Sequence, residues 1–181
     1  MNNVFIIWVK RFIVNLITEK EILNSFGPGL TQYVEYLYTS LMLKIAVVDG
    51  QGGGIGSLIV KRLRDEFGDN IEILALGTNA AATSAMMKSR ANKGATGENA
   101  IVLNANRTDL LIGPLSIVLP NAMLGELTPK MAEAIVLSST RKFLLPLNQE
   151  SINIVGVEKE PLPHMIEKII EIVRHEVGKG D

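Results

Sequence analysis

The sequence has no cysteine, one tryptophan and two histidines in 181 residues. Without cysteine there is no disulfide framework, no thiolate metal site and no thiol nucleophile. A reducing, cytoplasmic home fits that lack. Basic excess is missing too: 18 Lys+Arg face 19 Asp+Glu, for a net charge of −1. Duplex binders neutralise phosphates with a clear surplus of cations, so nucleic acid is not an expected partner. The apolar stretch Val4 to Ile17 is broken by Lys10-Arg11 and falls short of the roughly 20 residues a spanning helix needs. Its charges lie inside the apolar run, whereas a secretory signal places them before it. No membrane contact is expected for residues 42–181. His164 and His175 do not make an i, i+4 metal pair, and no serine sits in a G-x-S-x-G elbow.

What is present is distributed unevenly. Of nine aromatics, seven precede residue 42 (Phe5, Trp8, Phe12, Phe26, Tyr33, Tyr36 and Tyr38), and only Phe67 and Phe143 follow. Of 16 glycines, Gly27 and Gly29 alone precede residue 42. Segments so different do not share one core, which places a boundary at Leu41/Met42. Residues 1–41 read as an N-terminal extension. As a helix, its first part would set Arg11, Asn15 and Glu19 on one stripe, away from Phe5, Trp8, Phe12 and Leu16, a pattern that suits a membrane surface or a partner. An upstream start assignment would also produce an extension of foreign composition.

From Met42 the pattern alternates strand and helix. Lys44–Val48 is a β-rich apolar run, and Ile55, Leu58, Ile59, Leu63 and Phe67 then recur at helical spacing. Ile71–Leu76 predicts a second strand, Ala80–Arg90 a helix, Gly94–Gly97 an interruption and Glu98–Ala105 a short helix. Asp109–Gly113 predicts a third strand. Leu115–Leu119 fits either a strand or a buried helical turn. Thr128-Pro129 opens a helix to about Ser138, with Thr as N-cap. Arg141–Leu147 and Ile152–Val157 predict two late strands, and Pro163 opens a last helix. The expected fold is α/β, a Rossmann-like three-layer sandwich with a mostly parallel sheet over residues 42–177.

One motif carries a mechanism. Asp49-Gly50-Gln51-Gly52-Gly53-Gly54-Ile55-Gly56-Ser57 lies between a strand and a helix, the context of a phosphate loop. Bare glycines let the backbone approach a ligand, and the helix that follows offers free N–H groups and a positive dipole end. A Walker A loop fails, because Gly56 precedes Ser57 where lysine is required. Gly50, Gly54 and Gly56 fit G-x-x-x-G-x-G, which resembles the cofactor loop of short-chain dehydrogenases. That family's Tyr-x-x-x-Lys pair is excluded, since no tyrosine follows Tyr38. Gly77-Thr78-Asn79 replaces the acidic residue that would hold a ribose, which weighs against NAD. Thr78 and Asn79 remain able to bind a ribose or phosphate. A tight turn for strand–helix packing is the plainer alternative.

Ligands in open α/β sheets bind beyond the carboxyl ends of the strands. Those ends carry Asp49-Gly50, Gly77-Thr78-Asn79, Gly113-Pro114 and Pro146-Leu147-Asn148. Glu98 and Glu126, each next to glycine, are the candidate acid–base residues; a solvated surface carboxylate is the alternative for both. A nucleotide or dinucleotide is the cofactor class the loop admits. The reading is therefore a domain that binds a phosphorylated small molecule, acting either as an enzyme or as a non-catalytic sensor, and free to form a homo-oligomer.

Five segments carry a further resemblance: Lys44–Gly56, Ala75–Ala80, Gly94–Ile101, Ile112–Pro114 and Gly125–Ile135. Together, over about Met42 to Val177, they resemble a bacterial family described as a domain of unknown function, number 3842. The resemblance supports the boundary at Met42 and implies no reaction. It implies a lysine at position 57, where Ser57 stands and would hold an anion less well. A chain starting at Met42 is expected to melt at the temperature of the full chain; a large loss of stability would make the first segment part of the core.

Overall fold

The computed structural model describes Ser25 and residues 27–147 and 152–178. The stretch Val4–Ile17 and Asn148 lie outside them. One compact unit spans Leu43–Ile170, while helix α1 (Pro28–Leu41) and the end of the last helix from Glu171 belong to another.

The Leu43–Ile170 unit is built on five strands: β1 (Leu43–Asp49), β2 (Ile71–Gly77), β3 (Lys93–Thr96), β4 (Leu110–Pro114) and β5 (Arg141–Leu145). Their order is β3-β2-β1-β4-β5 and every pairing is parallel. Helices α2 (Gly54–Phe67), α3 (Ala80–Lys88), α4 (Glu98–Asn104) and α5 (Pro129–Leu137) connect consecutive strands, and α6 (Leu162–Gly178) follows β5. The fold is the Rossmann-like α/β sandwich expected, with a fully parallel sheet.

The sequence pattern explains the layers. β4 is buried along its whole length, as a central strand covered on both faces must be. Alternation along β1 sends Ala46 and Val48 to one face, where they pack with Leu111, Ile101, Met131 and Ile135 of β4, α4 and α5. Ile45 and Val47 point the other way and are equally buried. Thr128 caps α5 as predicted, its Oγ1 accepting from the Met131 N–H at 3.2 Å.

Two details differ from expectation, and the alternative left open at Leu115–Leu119 falls to the helical turn. Residues 93–96 form a strand, not an interruption. The backbone registers Leu74 with Lys93 and Gly77 with Thr96, and a Cβ on Gly94 would stand 2.8 Å from Met87 Sδ. Residues 115–118 are a 3-10 turn. The strand predicted at Ile152–Val157 does not form; Ile152 alone makes a bridge, and Val155 is 96% exposed. The connection from Leu145 is too short for a parallel crossover, and Gly156 turns the chain at φ +83°.

Leu111→Ala is expected to cost about 2–5 kcal/mol by urea unfolding, because its site is fully buried. Leu124→Ala, at a residue 97% exposed, is expected to stay within about 0.5 kcal/mol.

Candidate ligand-binding site

β1 ends on Asp49, only 3% exposed. Its carboxylate reaches across the glycine loop. Oδ1 accepts from the Gly50 N–H at 2.8 Å and Oδ2 from the Gly56 N–H at 2.6 Å. Burial pushes this carboxyl above its ordinary value, against the lowering effect of the Gly56, Gly50 and Ile55 N–H groups; the charge of Glu126 adds to the rise. Part of the amide set at the start of α2 is therefore held by the chain's own aspartate.

The glycines divide into two groups. A Cβ on Gly53 would stand 2.7 Å from Ala82 Cα, and its φ of +69° disfavours any other residue. A Cβ on Gly50 would meet Thr78 Oγ1 at 2.6 Å, and one on Gly56 would meet Asp49 Cβ at 2.7 Å. Gly77 and Gly113 are also packing positions, against Thr83 and against the Val48 carbonyl. Gly52 and Gly54 are different: they are exposed, and a Cβ on either would have nothing within 4 Å. Ser57 turns its hydroxyl onto the Gly54 carbonyl at 2.9 Å.

A second carboxylate braces the loop from outside. Glu126 Oε2 accepts from Thr78 Oγ1 at 2.7 Å, the Gln51 N–H at 2.8 Å and Asn79 Nδ2 at 2.7 Å. Asn79 also caps α3 by accepting from the Ala82 N–H at 2.8 Å, and donates to the Gln51 carbonyl at 2.9 Å. The Thr78 hydroxyl, the Gln51 N–H and the Asn79 amide hold the Glu126 carboxyl below its ordinary value, burial opposing them.

Between the ends of β1 and β4 lies a cavity of about 600 Å³. The chain leaves β1 toward β2 and later returns to β4 on the other side, so this is the switch point of the sheet, where such folds bind ligands. Asp49, Gly50, Gln51 and Ile55 form one wall; Pro114, Ser116 and residues 119–124 face them. Asn121, Met123 and Leu124 all have left-handed φ, at 63°, 59° and 60°, which costs side-chain-bearing residues about 1–3 kcal/mol each. No Lys, Arg or His is among the described residues lining the cavity.

The family model for domain of unknown function DUF3842 matches residues 44–178. The chain belongs to that family. Among solved structures it is similar to a dodecameric FMN-dependent Ubix-like decarboxylase from Escherichia coli O157:H7, at 16% identity and a TM-score of 0.39, over 76% of each chain. A likeness of that size carries nothing about ligand or reaction. No curated protein matches the sequence significantly. Among the described residues, no helix is long and apolar enough to cross a membrane.

Within this DUF3842 domain the structure gathers Asp49, Gly50, Gln51, Gly52, Thr78, Asn79 and Glu126 at one edge. Glu98 is placed elsewhere: its Oε2 accepts from Thr128 Oγ1 at 2.7 Å, its Oε1 lies 3.3 Å from Lys130 Nζ, and it does not line the cavity. Thr128 and Lys130 hold its carboxyl below the ordinary value. Sequence reasoning passed over Ile55 and Ser116 as cavity residues. Ile55 shows in the sequence inside the glycine motif and on the apolar helix face, and Ser116 carries no signal.

Because the Glu126 carboxyl is held low, its contribution to stability is present above the ordinary value of 4.5 and is lost as pH falls through the folded value. The full chain should therefore melt above Glu126→Gln near neutral pH, and the gap should narrow steadily as the pH is lowered below 4.5. A gap that is constant across that range would show that the charge does not brace the loop.

Proposed function

We propose that this domain binds a small molecule carrying a single phosphate, of the nucleotide class, in the cavity between β1 and β4. The observation that carries the reading is the place of that cavity: at the sheet's switch point, with the glycine loop as one wall. Its volume lies within the roughly 300–1,000 Å³ of small-molecule sites. Gly52 and Gly54 leave the backbone bare beside the start of α2, where the helix dipole favours an anion. Ile55, Leu119, Met123 and Leu147 offer apolar surface for a base or similar ring.

A dinucleotide is less well supported. The buried Asp49 carboxylate, already on the Gly56 amide, leaves less of the α2 terminus for a pyrophosphate. Binding also has more support than acid–base catalysis. Glu98 and Glu126 are both held in the charged form by hydrogen bonds, whereas a working base needs burial to raise it.

Gly54→Val is the test, because the position is open and the variant keeps its packing. With AMP as the probe in calorimetry, the variant should melt as the parent does and bind at least about tenfold more weakly. Equal affinity in the two proteins would end the glycine-loop reading.

A further inference from the structure

Three donors meet at Glu126 Oε2, and they come from two different strand ends. The Gln51 N–H follows β1, while the Thr78 hydroxyl and the Asn79 amide follow β2. All three lie within 2.8 Å of one oxygen. The group they hold is brought in from a third place, the loop between β4 and α5. Uncharged donors converging on one anionic oxygen make a seat for an anion of any origin. The seat adjoins the cavity: Glu126 Oε2 lies 3.1 Å from where a Cβ of Gly50 would stand, and Gly50 and Gln51 form part of the cavity wall.

The segment that delivers Glu126 is held in an unfavourable form. Asn121, Met123 and Leu124 have left-handed φ, and Leu124 is 97% exposed, so burial of its side chain does not offset the strain. The Gly125 N–H closes the turn on the Asn121 and Ala122 carbonyls, both at 3.2 Å. Asn121, Met123 and Leu124 also line the cavity. The same short loop thus carries a cavity wall and the occupant of the anion seat.

We propose that Gln51, Thr78 and Asn79 form the seat for the ligand's phosphate, and that Glu126 is its resident substitute, displaced when the ligand binds. This rests on the function proposed above and adds where the phosphate goes and what leaves. No bond is made or broken. One anion replaces another on the same three donors, so none is left unpaired. The freed Glu126 carboxylate moves to solvent, and residues 121–125 are released from their pin. Ligand occupancy is thereby turned into a change of the cavity wall, which a partner can read.

Inorganic phosphate is the probe, titrated by calorimetry into the full chain and its variants. Glu126→Ala empties the seat and removes a repelling charge, so it should bind phosphate roughly tenfold or more tightly than the parent. Adding Thr78→Val to that variant should abolish the gain. If Glu126→Ala melts cooperatively and binds phosphate no tighter, the displacement is overturned; a parent that still binds AMP in a Gly54-dependent way then keeps the glycine-loop reading intact. If no protein binds phosphate or AMP, both fail together. Should Glu126→Ala not fold, Glu126→Gln keeps the acceptor oxygen and drops the charge, and unchanged phosphate affinity there overturns the proposal equally.

Discussion

The buried Asp49 carboxylate is the constraint on which the edge of this domain depends. It takes N–H groups from both ends of the glycine loop, at Gly50 and Gly56, and so fixes the loop's span. A carboxylate so deep costs desolvation and is tolerated because each oxygen is met by a backbone donor. One packing glycine follows from it directly, and two answer to other neighbours. Gly56 must let Asp49 come close, Gly53 must let α3 come close, and Gly50 must leave room for Thr78 and Glu126. With the inside of the loop fixed this way, Gly52 and Gly54 are the loop glycines that stay open.

Charge sets the second condition. Asp49 and Glu126 stand at one edge of a protein whose net charge is only −1, and each raises the cost of a further anion there. An edge with that balance does not suit a ligand of many charges. The exchange proposed above, of one anion for another, adds no net charge to it. The strained turn at Asn121–Gly125 gives such an exchange somewhere to act, because it forms a cavity wall and carries Glu126.

Much of this was legible in the sequence where the determinants are local. β1, β2, β4 and the amphipathic α2 announced themselves by period and by flanking glycine, and Thr128-Pro129 marked the start of α5. What was not legible depends on partners distant in sequence. The strand character of β3 comes from pairing with β2. Ile152–Val157 has strand-forming residues without a reachable place in the parallel sheet. The segment around Glu126 reads as polar density, but its hydrogen bonds to Gln51, Thr78 and Asn79 cross between three loops. The glycine motif lies between a strand and a helix as its sequence implies, while the division of its glycines into packing and open positions depends on distant neighbours.

The central claim is that an anion binds at this edge, on Gln51, Thr78 and Asn79 beside the open glycines. A heteronuclear NMR titration of the full chain with AMP tests it most directly, following the backbone amides of Gln51, Gly52 and Gly54, the side-chain amide of Asn79 and the amides of residues 121–126. Saturable shifts at these positions with a common midpoint are expected. Saturable shifts confined to other surfaces, with these resonances unmoved, would contradict the claim.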